Sequence, residues 1–144
     1  MNPSTDPVLA ADGLRLQLKT TLGEGLLDGA WWPRSRNLTT ELQALADHWP
    51  AHQGHIARAL YSQADWDSPP RRIYSAGSII PAGSFPGDDT HLIVLTMAGS
   101  RRRVQLLVIP ADTSTADAQR AVDLALRLDA PRTAVQILSG LTLI

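Results

Sequence analysis

The sequence predicts an α+β protein: a mainly antiparallel sheet of about six or seven strands with two helices packed on one face. Several short segments alternate apolar with polar residues, the period of two that a half-buried strand requires. Two longer segments repeat apolar residues at helical spacing behind a capping residue. Most of the strand-like segments also follow one another with no helix between them, which favours hairpins over the strand–helix–strand units of a parallel sheet.

Residues 1–12 read as a polar, proline-containing, flexible lead-in, and residues 13–144 as a single domain, since no linker divides them. Leu14, Leu16 and Leu18 alternate with Arg15, Gln17 and Lys19 in a first strand, residues 20–25 turn, and residues 26–32 pair back until Pro33 ends the strand. Asn37 caps a helix whose stripe is Leu38, Leu42, Leu45 and Trp49, and Pro50 stops it. Residues 56–62 and 71–75 are strands joined by Ser68-Pro69-Pro70. Ala76-Gly77 turns into a short strand at residues 78–81, and residues 81–84 bend the chain again. Residues 91–97 and 102–109 form a hairpin about residues 98–101. Ser114 and Asp117 have capping-box spacing before a helix with Ala118, Ala121, Val122, Ala125 and Leu126 inward, closed by residues 129–131. Residues 133–138 are apolar and β-leaning, suited to an edge strand or to pairing with a second copy as a homo-oligomer.

Composition narrows the function classes. A formal net charge of −1 gives no general reason to expect nucleic acid or an anionic membrane as partner. Cysteine is absent, which removes disulfides, thiolate catalysis and cysteine-based zinc sites. The first residues lack a signal peptide, and no stretch approaches the roughly 20 apolar residues that cross a bilayer, so a cytoplasmic location is expected. His48, His52 and His55 have metal-like spacing, but Pro50 interrupts the helix they would need, so no metal and no cofactor are expected. The glycines of residues 23–29 lead into a strand rather than a helix and carry one residue too many for a dinucleotide fingerprint. Walker, nucleophile-elbow and Ser-x-x-Lys motifs are absent.

The densest chemistry is the run Asp28-Gly29-Ala30-Trp31-Trp32-Pro33-Arg34-Ser35-Arg36. Adjacent strand residues point to opposite faces, so if Leu27 and Trp31 enter the core, Asp28 and Trp32 share the other face beside Arg34 and Arg36. A second cluster, Asp65-Trp66-Asp67 with Arg71-Arg72, repeats the same residue types on a loop. These segments, with residues 107–110 ending a strand before a helix, resemble an actinobacterial family of uncharacterised small proteins over residues 14–126. That resemblance implies a bacterial setting and supplies no activity or catalytic residue.

The resulting expectation is a non-enzymatic module for a small anionic ligand or a protein partner. Trp32 and Trp66 would stack, Arg34, Arg36 and Arg71 would hold the anion, and Asp28 and Asp67 would orient the arginines. An alternative is an enzyme on a small anionic substrate using a carboxylate pair drawn from Asp28, Asp65 and Asp67, Asp28/Asp67 foremost. A third is nucleic-acid binding through Arg101, Arg102 and Arg103 on the hairpin.

Overall fold

The computed structural model describes residues 15–18, 27–49, 54–75, 77–84, 91–99 and 102–126. The lead-in, the turn at 20–25, the closure at 129–131, the apolar segment at 133–138 and Arg101 lie outside the described residues.

Seven strands form one sheet: β1 (Leu16–Leu18), β2 (Gly29–Trp31), β3 (Ile56–Tyr61), β4 (Arg72–Ser75), β5 (Ser78–Ser84), β6 (Leu92–Met97) and β7 (Arg103–Val108). The helices are α1 (Leu38–Asp47) and α2 (Thr115–Ala125). Across the sheet the order is β1-β2-β7-β6-β3-β5-β4. The sheet is mixed rather than mainly antiparallel: β2 pairs with β7 in parallel and β3 with β5 in parallel, while the other four neighbouring pairs are antiparallel. In consequence β2, β7, β3 and β5 all run the same way, and their carboxyl ends share one edge of the sheet.

The helices do not lie together on one face. Trp31 and Val108 face the core that holds Leu38, Leu42 and Leu45 of α1, whereas Ala30, Trp32, Leu107 and Ile109 face Ala118, Ala121, Val122 and Ala125 of α2. Alternation along β2 and β7 sends successive residues to opposite faces, so the two cores, and the two helices, sit on opposite sides of the sheet. Both helices start as their caps dictate. The Asn37 side chain accepts the N–H of Thr40, and the Ser114 side chain accepts that of Asp117.

One expected break is absent, because β5 runs through Pro81 to Ser84. The N–H of Ala82 donates to Arg71 O on the β4 side. Pro81 nitrogen therefore faces β3, where pairing begins only at Ala82, and the missing donor leaves no gap in either ladder. No helix among the described residues is long and apolar enough to cross a membrane.

Candidate functional site

The tryptophan-rich segment is strand, and its indoles do go to opposite faces, but neither face is open. Trp31 is 1% and Trp32 7% exposed, because each face of β2 carries its own helix. Trp32 Nε1 donates to Pro110 O at 3.1 Å, and the Arg15 guanidinium lies 3.7 Å from the ring centroid. Burial, with Arg34 nearby, lowers the pKa of Arg15, an effect that Glu41 opposes. Asp28 is also buried; its N–H donates to Gln105 O and its Oδ2 accepts the Gln105 N–H at 2.8 Å. Asp28 thus extends the β2–β7 ladder by one rung. Leu27, expected on the Trp31 side, packs in the Trp32 core instead, since regular alternation begins only at Gly29.

The second cluster meets the first at the carboxyl ends of the strands. Asp67 N–H donates to Arg36 O, forming an isolated parallel bridge between Asn37 and Asp67. Arg36 Nε donates to Asp67 Oδ1 at 3.0 Å and its Nη2 to Ala64 O at 2.9 Å. Trp66 is buried on Trp31, ring centroids 5.5 Å apart, rather than beside Trp32. Of the seven expected residues, Arg36, Trp66 and Asp67 therefore come together. Asp28 and Trp32 are buried with hydrogen-bond partners inside the fold, Arg34 is exposed with its N–H on Glu41 Oε1, and Arg71 is exposed ahead of β4. Asp28 precedes β2 and Asp67 bridges beyond its exit, so they are not a facing carboxylate pair. On the hairpin, Arg102 and Arg103 are exposed.

At the same edge lies a cleft of about 260 Å³. Ser35 and Arg36 line it from the loop after β2, Asp65 and Trp66 from the 3-10 turn after β3, His91 from the start of β6, and Pro110 and Asp112 from the loop after β7. Asp65 is buried and holds His91 twice. Its Oδ2 accepts the His91 backbone N–H at 2.7 Å, and its Oδ1 lies 3.3 Å from the ring Nδ1. Burial raises the Asp65 pKa, against the opposing pull of His91, of backbone N–H groups and of Arg36. His91 has φ +62°, a left-handed backbone that is uncommon outside glycine and costs free energy. Its side chain is about one-third exposed and lines the cleft, with Nδ1 beside the Asp65 carboxyl.

Sequence reasoning placed Asp65 among candidate carboxylates but passed over His91, which has no motif around it; only the fold brings β6 beside the turn after β3. Among the described residues no group of three His, Asp or Glu side chains is arranged to hold a metal ion.

Comparison with known proteins gives one relationship: residues 15–125 match the model of a family of unknown function, DUF5994. No curated protein and no solved structure matches the chain.

Proposed function

We propose a function for a chain that belongs to the DUF5994 family of unknown function: it binds a small molecule in the cleft at the carboxyl ends of β2 and β7, with an anionic group on Arg36. The position of the cleft carries this reading. Adjacent parallel strands β2 and β7 send their following helices to opposite faces of the sheet, and the loops that diverge leave a crevice between them. Open sheets with helices on both faces bind ligands at such a switch point, outside the carboxyl ends of the strands.

Arg36 suits the role. Asp67 and the Ala64 carbonyl fix two edges of its guanidinium, the side chain is half exposed, and Nη1 has no partner among the described residues. A fork already held in place loses little side-chain freedom when an anion docks. Trp66, Val108 and Ile109 supply an apolar wall for the rest of the molecule. The actinobacterial and cytoplasmic setting belongs to the same proposal and rests on the tryptophan motif and composition.

Thermal unfolding in inorganic phosphate, acetate and neutral glycerol tests the reading. A ligand at about 100 times its Kd stabilises by about 2.7 kcal/mol, a shift of several degrees in Tm. Phosphate also stabilises proteins by exclusion from their surface, so the informative quantity is the shift that Arg36→Gln abolishes. Anion-specific stabilisation lost in Arg36→Gln supports the site; equal shifts in wild type and variant reject it.

A further inference from the structure

We propose that Asp65 and His91 form a general-base pair, so that the cleft is a catalytic site that hydrolyses small acyl esters bearing an anionic group. The inference rests on the ligand-binding reading above and goes beyond it by assigning a reaction. It starts from three features that a site for binding alone does not need.

The first is the order of the contacts. Asp65 is buried and turns its carboxyl to the start of β6: Oδ2 accepts the His91 backbone N–H, Oδ1 lies beside the ring Nδ1, and the Leu92 backbone N–H is a further donor to it. In the proposed pair the carboxyl holds the proton on Nδ1 and Nε2 acts as the base; which ring nitrogen carries the proton is set by the partner of the other. Asp65 is thus a positioning residue, and His91 the group that touches the reacting atoms. The second is the backbone of His91, at φ +62° with its N–H on Asp65 and its carbonyl accepting the Val108 N–H. Strain of this kind persists where surrounding structure over-determines it, as at sites of chemistry. The third is the loop after β7, which lines the same cleft. The N–H groups of Ala111 and Asp112, in the turn after β7, make no hydrogen bond among the described residues, and α2 starts just beyond them. Backbone donors beside a helix start stabilise a developing oxyanion.

The step balances with water as the only co-reactant. Nε2 takes a proton from a water molecule as its oxygen bonds to the acyl carbon; the carbonyl becomes an oxyanion facing the Ala111 and Asp112 amides. The carbon–alkoxide bond then breaks, and the imidazolium returns the proton to the leaving oxygen. Arg36 holds the substrate's anionic group. The charged groups that line the cleft with His91 are Asp65 from the 3-10 turn, Arg36 from the loop after β2 and Asp112 from the loop after β7.

Two measurements test the proposal on the full chain. Nitrogen-15 NMR of the histidine rings at neutral to alkaline pH reads the tautomer without any substitution. A protonated Nδ1 and bare Nε2 at His91 supports the pair, and the reverse tautomer overturns it. The second uses 4-nitrophenyl acetate as the acyl probe. Nitrophenolate release should exceed that of equimolar imidazole by about 100-fold, within the usual gain from a positioned base. It should vanish in His91→Asn, where asparagine tolerates the left-handed backbone. Asp65→Asn should slow release and alter its pH profile while leaving a folded chain. Release no faster than with imidazole, or unchanged in His91→Asn, overturns the assignment. Neither measurement depends on the anion shift at Arg36, so ligand binding and base catalysis fail separately.

Discussion

A β-carbon at position 29 would lie 2.3 Å from Gln17 O and 3.0 Å from Leu18 Cα, both backbone atoms of β1 that cannot swing away. Gly29 is therefore what lets β1 close on β2, and through β2 the tryptophans on either side reach their separate cores. Gly29→Ala should destabilise by about 1–3 kcal/mol, the usual penalty of forcing atoms into filled space. Urea unfolding measures it. Gly83→Ala is the matched control: the new carbon meets only Leu60 Cδ2 at 3.7 Å, an ordinary contact, so its loss should be far smaller. Residue types in the tryptophan motif were legible, but their purposes were not. A carboxylate next to an indole at alternating positions suggests an exposed cluster, whereas Asp28 answers the Gln105 N–H and the Trp32 indole answers Pro110 O. Both partners lie far along the chain, and nothing local to the motif announces them.

Elements defined by local chemistry were readable: α1 and α2 begin at the expected capping residues, and β6 and β7 occupy the expected hairpin segments. The pairing of β2 with β7 was not, because it joins residues such as Asp28 and Gln105, 77 positions apart, and parallel strands leave no turn signature. The opposite placement of the helices follows from that pairing and was hidden with it. The short β1 shows how a marginal element is retained. Beyond its three paired residues it is tied down by Arg15, whose Nε donates to Trp32 O at 3.0 Å and Nη2 to Pro33 O at 3.1 Å while the guanidinium covers the Trp32 ring. Lysine keeps the charge but lacks the planar fork that makes all three contacts together. Arg15→Lys should raise native-state amide exchange at residues 16–18 by about tenfold, equivalent to about 1.4 kcal/mol. Exchange in the β6–β7 hairpin should stay as it was. A uniform increase everywhere would mean that Arg15 supports the whole fold rather than this strand.

For the molecule as a whole, two cores back to back on one sheet leave polar chemistry to the sheet's edge, where four strands end together and the cleft opens. The α+β class was legible from periodicity, and Arg36, Trp66 and Asp67 of the expected site do converge. His91 was illegible because its significance lies wholly in packing against Asp65. The cost of that packing should be visible in global stability. A carboxyl whose folded pKa is raised binds its proton more tightly folded than unfolded, so its contribution favours folding at acid pH. That contribution is fully present below the unfolded value near 4 and is lost as pH rises through the raised folded pKa. Asp65→Asn keeps the shape but has no such titration. Urea unfolding at stepped pH should therefore show wild type losing stability relative to Asp65→Asn as pH climbs from about 4, with the difference levelling once Asp65 is ionised in both states. A difference that stays flat, or that grows in favour of wild type over this range, would mean that the His91 contacts outweigh desolvation. Asp65 would then be a stabilising ion-pair member rather than a charge buried at the expense of the fold.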